Sequence, residues 1–243
     1  MTLALLAITW TVWLVVQGSG GTFSNDGALR LATSVCNYGL VPGELTGLVP
    51  LGYAVPLGGG WACVVDNEPV NYATPILSMF LHGGWGHLIG NSLYLWVFGN
   101  NVEDSMGRGR FLLFYLITGV AAAAVHMLVE PASPLPTVGA SGAISGVMGG
   151  YLLLYPRVKV RTFIPPFFLL RFPAWFVLIL WIGSQVLAGL PDLSPLRREV
   201  SGGVAVWAHI GGFVAGVILV RLFVKKDLVR RRTVGGDAQA VWS

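Results

Sequence analysis

Long apolar stretches alternate with short polar connections along this chain, and they predict six helices. The first stretch, residues 2–17, carries no charged side chain. The others cover residues 75–99, 111–129, 141–155, 167–190 and 204–224. A helix needs about 20 mainly apolar residues to cross a hydrocarbon core of about 30 Å, and most of these stretches approach that length. The pattern therefore predicts an all-α membrane protein, built as a bundle of six transmembrane helices.

The fourth stretch opens with glycine and serine at helical spacing, because residues 139–150 read GASGAISGVMGG. At 3.6 residues per turn the small residues fall on two adjacent stripes, which are Ser141, Ser145 and Gly149, and beside them Gly142, Gly146 and Gly150. In a membrane, such a face lets the backbone of another helix approach closely. The fourth helix is therefore expected to pack tightly against a neighbour.

The sixth stretch has a matching face around a histidine. Residues 205–216 read AVWAHIGGFVAG. Ala205, Gly212 and Gly216 share a helix face with His209. If the two small-residue faces meet, Ser141 and His209 are brought together, as a serine nucleophile and its general base require. The working hypothesis is a serine protease buried in a bilayer.

Composition agrees with a membrane location. Of the 243 residues 54% are hydrophobic and only 11% are charged, and the mean hydropathy is +0.70. An ordinary soluble domain has about 25% charged residues. The net charge of +4 and the pI near 9.3 could suggest a nucleic-acid partner, but the basic residues lie in short runs beside apolar segments. The positive charge is therefore interpreted as a signal of membrane topology and of contact with membrane lipid. A nucleic-acid partner is not predicted.

Lysine and arginine are distributed unevenly between alternate connections. Twelve fall on one side, namely Arg108, Arg110, Arg157, Lys159, Arg161, Arg171, Arg221, Lys225, Lys226, Arg230, Arg231 and Arg232. The other side has Arg30, Arg197 and Arg198. The positive-inside rule then predicts a multi-pass protein of the cell membrane with both termini in the cytoplasm.

This topology divides the chain into three parts. Residues 1–74 form helix 1 with a long outer loop, residues 75–224 form helices 2–6 with the catalytic core, and residues 225–243 form a basic cytoplasmic tail. Converting position into depth at about 1.5 Å per residue places His87, Asn91 and His209 roughly 8 to 14 Å below the outer helix ends. Ser141 starts a helix of only ~22 Å and falls at a similar depth.

The loop before Ser141, residues 131–140, is expected to border a hydrated pocket. Non-helical backbone at membrane depth is tolerated only where protein or a water-filled cavity surrounds it. Hydrolysis also needs that water.

Acyl-transfer chemistry gives each polar residue a role. His209 would take the proton from Ser141 Oγ, and no Asp or Glu stands near His209 in its helix, so the sequence predicts a dyad. His87 and Asn91, an i, i+4 pair, and the backbone N–H of Ser141 would stabilise the oxyanion. A membrane serine or histidine alone is more often a packing residue. Four polar residues at one depth on three helices favour catalysis, because intramembrane ionisable groups are costly.

These motifs resemble those of the rhomboid intramembrane serine proteases. Residues 139–142 read GASG and match the family's GxSG, and residues 208–212 read AHIGG and match its AHxxG. His82, His87 and Asn91 have the spacing of its HxxxxHxxxN. Together these motifs are highly specific, although GxSG alone also occurs in soluble hydrolases.

The resemblance covers about residues 75–216 and has direct implications. It implies Ser141 as nucleophile, His209 as base, and His87 and Asn91 as oxyanion donors. It also implies a six-helix core of rhomboid type that cleaves transmembrane protein substrates near their outer ends without a cofactor.

The chain departs from the family pattern in two places. The Trp-Arg pair often found in the first loop is not visible, and Ser145 stands where some members have an aromatic residue that stacks on the histidine. An inactive rhomboid-like protein that binds transmembrane segments without cleaving them is the alternative, but such relatives commonly lose the serine or the histidine. A transporter would need inverted repeats or paired broken helices, which the sequence does not show.

Three smaller expectations concern cysteine and histidine. Cys36 and Cys63 both fall in the outer loop, where a disulfide and two free thiols are equally compatible with the sequence. His82 is interpreted as an exposed interfacial residue, with a residue of a water site or of the substrate rim as the alternative. No metal site is predicted from the histidines, because no carboxylate or cysteine accompanies them at ligand spacing.

Overall fold

The fold is known from a computed structural model that describes residues 1–23, 25–58, 60–66, 68–164, 168–193, 205–225 and 227–228. Helices dominate these residues, as the apolar pattern predicted. Helix α1 (Thr2–Thr11) continues through a wider π-helical turn (Val12–Val16) and a short 3₁₀ turn (Gly18–Gly21). The backbone N–H of Thr2 donates to the Glu103 carboxylate at 2.7 Å, so the start of α1 lies beside the far end of a later helix.

The long connection after α1 has structure of its own. It contains α2 (Asn25–Tyr38), the one-turn helix α3 (Pro42–Thr46) and an antiparallel hairpin of β1 (Ala54–Gly58) and β2 (Trp61–Val64). A disulfide joins Cys36 of α2 to Cys63 of β2. The question that the sequence left open is therefore answered in favour of the bridge, and the connection is a small cross-linked subdomain.

The second predicted helix is broken near its N-terminal end. Helix α4 (Thr74–Leu77) and a 3₁₀ turn (Ser78–Phe80) come first, and α5 (Trp85–Met106) begins only after an extended segment. Gln17 stabilises this extended segment by two hydrogen bonds of 2.9 Å. Its side-chain amide accepts from the backbone N–H of His82 and donates to the His82 carbonyl. The prediction of a single helix over residues 75–99 was therefore wrong at both ends.

Helices α6 (Arg108–Val129), α7 (Ser141–Leu154) and α9 (Val206–Phe223) form the centre of the molecule. Their bounds agree with the predicted third, fourth and sixth helices to within three residues. The predicted contact between small residues is also confirmed. A Cβ on Gly212 would lie 2.0 Å from the Gly142 carbonyl oxygen, and one on Gly216 would lie 1.9 Å from the Gly146 carbonyl oxygen. We call this contact between α7 and α9 the glycine seam.

A second hairpin separates α7 from α8. Strands β3 (Lys159–Ile164) and β4 (Phe168–Pro173) pair antiparallel, and α8 (Ala174–Gly189) follows directly, with Pro173 as its N-cap. The sequence predicted a loop and then a helix from residue 167. Both hairpins are departures from the predicted all-α fold, although the fold is mainly helical.

Two of the described helices, Arg108–Val129 and Val206–Phe223, are long and apolar enough to cross a membrane by length and composition. The segments Thr2–Val16, Ser141–Leu154 and Ala174–Gly189 are shorter apolar helices. The predicted connection with Arg197 and Arg198 lies outside the described residues, as does most of the predicted basic tail.

The glycine seam generates a stability prediction. Gly212→Val should lower the free energy of unfolding by about 1–3 kcal/mol or more, because the new side chain meets backbone that cannot rotate away. Thermal melts of detergent-solubilised protein measure this loss. Gly183→Val is the matched control, since a Cβ on that helical glycine meets nothing within 4 Å. Equal melting temperatures for the two variants would show that the seam does not form.

Candidate active site

Ser141 is the first residue of α7, at the point where an irregular loop becomes a helix. The turn depends on Gly139, whose φ of +127° is unfavourable for residues with a side chain. The Gly139 N–H donates to the Ser78 carbonyl at 2.9 Å and fixes the loop against the 3₁₀ turn before α5. Because the first N–H groups of a helix have no intrahelical acceptor, the Ser141 N–H is available to a ligand.

Ser141 and His209 are in hydrogen-bond contact. The distance from Ser141 Oγ to His209 Nε2 is 2.8 Å. His209 lies in the first turn of α9, is only 8% exposed, and is separated by one helical turn from Gly212 in the glycine seam. The structure thus brings together the two residues that the sequence analysis paired.

His87 and Asn91 reach the same place from α5. A Cβ on Gly139 would lie 2.6 Å from His87 Nε2 and 3.5 Å from Asn91 Nδ2, so both polar atoms border the turn that precedes Ser141. The Gly83 N–H donates to His87 Nδ1 at 3.5 Å. Because Nδ1 accepts this hydrogen bond, the proton of the neutral ring lies on Nε2, which is then a donor. The predicted i, i+4 pair is therefore adjacent to the serine.

His82 is a buried residue, and the prediction of an exposed interfacial histidine was wrong. Its side chain has no exposed surface. The distance from its Nε2 to Asn91 Nδ2 is 2.9 Å, and its ring lies 5.0 Å from the His87 ring, centroid to centroid. Because an amide nitrogen can only donate, His82 Nε2 accepts one of the two Asn91 N–H groups. The other Asn91 N–H is not directed at His82. His82 thus orients the Asn91 amide.

Two residues of α8 that the sequence analysis did not select also contact the histidine. Gln185 Oε1 lies 2.8 Å from His209 Nδ1. The Trp181 ring lies 5.7 Å from the imidazole, centroid to centroid, at an interplanar angle of 39°. The signal that could have found them is a Ser-Gln pair, residues 184–185, in the middle of a very apolar helix.

The position one turn after the serine carries no aromatic ring, and its side chain has a local role. Ser145 is 1% exposed and donates its hydroxyl hydrogen to the Ser141 carbonyl at 2.6 Å. The ring that lies against His209 in this chain is that of Trp181, from another helix.

A cavity of about 770 Å³ opens beside these residues. Its wall includes Ser141 and His209, the loop from Ser133 to Val138, and Val35 and Val55 of the cross-linked subdomain. Residues 133 and 135–139 of the loop line this cavity, so the predicted pocket beside the loop is confirmed, and its hydration stays a prediction. The cavity has room for a peptide segment and for water next to the serine.

His126 of α6 ties the loop to the bundle and was not foreseen. It is 4% exposed, lines the cavity, and its Nε2 lies 3.1 Å from Thr137 Oγ1. Thr137 in turn forms a pair of backbone hydrogen bonds with Leu40, at 2.8 and 2.9 Å. The loop before Ser141 is thereby held between α6 and the cross-linked subdomain.

Comparison with known proteins gives a consistent result. A family model described as "Rhomboid domain" matches residues 70–226, which is more than half of the chain. The chain is 46% identical over 98 residues to the rhomboid protease GluP of Bacillus subtilis, covering 40% of this chain and 18% of that protein. It is 32% identical over 155 residues to the chloroplastic rhomboid-like protein 11 of Arabidopsis thaliana, covering 62% and 52% respectively.

A third relative is the mitochondrial rhomboid protein 1 of Saccharomyces cerevisiae, which is 27% identical over 171 residues. The match covers 68% of this chain and 45% of the yeast protein. The chain thus spans about half the length, or less, of these three relatives.

The turn at Gly139 generates a prediction. In Gly139→Ala the new methyl group collides with the His87 ring and the positive φ is strained, so the donors and Ser141 are pushed apart. A displacement of about 1 Å is expected to reduce labelling by a fluorophosphonate roughly 10²-fold. Gly90→Ala is the control, because a Cβ there meets nothing within 4 Å. Equal labelling rates for the two variants would contradict the geometry described for the turn.

Proposed function

The chain belongs to the rhomboid family, and we propose from its site that it is an intramembrane serine endopeptidase. It hydrolyses peptide bonds of transmembrane substrate proteins near the outer membrane face through the Ser141–His209 dyad. The observation that carries the proposal is the 2.8 Å contact between Ser141 Oγ and His209 Nε2 at the edge of a cavity.

The rhomboid family is membrane-embedded, and six helices of this chain are proposed as its spans. They are α1 with its π-helical turn, α5, α6, α7, α8 and α9. Two of them satisfy the length and composition expected of a span. The excess of twelve Lys and Arg over three on alternate connections supports a cell-membrane protein with both termini in the cytoplasm.

The chemical steps follow from the hydrogen-bond geometry. His209 Nε2 takes the Ser141 hydroxyl proton while Oγ attacks the scissile carbonyl carbon. The imidazolium then returns that proton to the leaving amine, and the substrate's acyl part stays on Ser141 as an ester. A water molecule from the cavity, activated by the same nitrogen, hydrolyses the ester and restores the serine.

The charge that develops on the carbonyl oxygen needs donors on the side of Ser141 that faces α5. His87 Nε2, the free Asn91 N–H and the Ser141 backbone N–H are proposed for that role. Their position next to Gly139 supports it. Fixed donors in a site shielded from bulk water stabilise the oxyanion more than water does.

The position of the cavity supports cleavage near the outer face. Its wall is formed by the outer subdomain and by the loop before Ser141, both on the side that the charge distribution assigns to the exterior. A transmembrane segment that unwinds near its outer end can place an extended stretch of backbone there. The enclosing helices keep the rest of that segment in an apolar environment.

Replacing either member of the dyad tests the proposal. Ser141→Ala and His209→Ala should each abolish cleavage of a model transmembrane substrate, and Ser141→Ala should also abolish fluorophosphonate labelling. Ser145→Ala, one turn further along α7, should still be labelled. Substantial cleavage by purified His209→Ala protein would rule out His209 as the only base.

The oxyanion donors have their own test. Asn91→Ala should lower kcat about 10²- to 10³-fold without removing probe labelling, because one donor is lost while the nucleophile and base remain. Asn100→Ala is the matched control, since that amide lies on the same helix and donates to the Trp96 carbonyl within it at 3.1 Å. An unchanged kcat in Asn91→Ala would make Asn91 a packing residue.

A further inference from the structure

The contact between Gln185 and His209 crosses from α8 to α9 and is not used by the dyad itself. We infer that Gln185 is a positioning residue, which holds the catalytic base in the one tautomer that can accept the serine proton. The catalytic consequence of this inference rests on the proposed function, whereas the tautomer itself does not.

The number of protons on the His209 ring determines which nitrogen needs an acceptor. A neutral imidazole carries one N–H, and a base that accepts the proton from Ser141 must leave Nε2 bare. The ring proton then resides on Nδ1 and requires an acceptor, because His209 is buried. Gln185 Oε1, at 2.8 Å, is that acceptor.

Hydrogen bonds within α8 determine which end of the Gln185 amide faces the ring. Its Nε2 lies 3.3 Å from Ser184 Oγ, and the Ser184 hydroxyl donates to the Trp181 carbonyl at 2.6 Å. With its hydrogen used in that way, Ser184 Oγ can only accept from the amide nitrogen. The amide oxygen is thereby directed at His209, whereas a reversed amide would place two acceptors, Gln185 Oε1 and Ser184 Oγ, against each other.

An aromatic contact from α8 also orients the plane of the His209 ring. Trp181 lies one helical turn before Gln185 on α8, with its ring 5.7 Å from the imidazole and 6.2 Å from the Phe213 ring. Aromatic pairs at such distances prefer defined orientations. The imidazole is therefore held by a ring contact and by an edge hydrogen bond, both supplied by α8.

An amide has an advantage over a carboxylate in this position. Transfer of an ionised carboxylate into an apolar helix interface is far more costly than transfer of a hydrogen-bonded amide. The amide oxygen still stabilises the imidazolium that forms during the reaction, since both ring nitrogens then donate. Gln185 therefore adds a neutral third group, from another helix, to the predicted dyad of Ser141 and His209.

Histidine-selective ¹⁵N NMR tests the tautomer without any need for turnover. In the wild-type protein in detergent, the His209 signals, identified by their loss in His209→Asn, are expected to show the Nδ1–H tautomer. Gln185→Leu, of similar volume, should shift His209 towards the Nε2–H tautomer, and Gln185→Glu, which keeps an acceptor oxygen, should restore Nδ1–H. An Nε2–H tautomer in the wild type, or no change in Gln185→Leu, would overturn the inference.

Kinetics test the catalytic consequence. Gln185→Leu should lower kcat about 10- to 100-fold with little change in KM, and Gln185→Glu should recover most of the loss. Gln185→Asn, whose oxygen is one methylene short, should behave like the leucine variant and covers the case in which that variant does not fold. Val186→Leu is the control at a neighbouring position that is 42% exposed.

The two hypotheses fail in different ways. If Ser141→Ala is inactive but Gln185→Leu and Gln185→Asn retain the wild-type kcat and tautomer, the positioning role is wrong and the protease assignment stands. If Ser141→Ala retains full turnover, the protease assignment is wrong, and the tautomer measurement still decides the role of Gln185.

Discussion

Contact between the backbones of α7 and α9 is the constraint on which the rest of the site depends. At the glycine seam the carbonyl oxygens of Gly142 and Gly146 occupy the space that a Cβ of Gly212 or Gly216 would need. Because helix axes that approach so closely cannot slide without collision, the seam fixes the depth and rotation of both helices. The 2.8 Å separation of Ser141 and His209, one on each helix, follows from this packing.

Much of this centre could be predicted because its signals are local. Small residues at helical spacing identified both faces of the seam, and the polar residues that accompany them, Ser141 and His209, stood out in apolar surroundings. His87 and Asn91 could be paired for the same reason, since a helix period alone places them on one face. The bounds of α7 were also predictable, because its start coincides with a glycine turn.

The features that were missed depend on partners distant in sequence. The break before α5 is stabilised by Gln17, and the burial of His82 follows from that contact across 65 positions. The third group at His209 is Gln185, which lies 24 residues earlier on another helix, whereas the predicted dyad rested on the residues of the histidine's own helix. Both hairpins rely on cross-strand pairing, which apolar periodicity does not report.

The disulfide between Cys36 and Cys63 makes one part of the cavity wall a covalent ring. Leu40 and Val55 lie within that ring and line the cavity, and the bridge closes a chain segment with a separation of 27 residues. A peptide bond cut by a foreign protease anywhere within the ring would leave both fragments attached. The protein would then migrate as one species on a non-reducing gel and as two after reduction, because the bridge keeps both fragments of the cut segment joined.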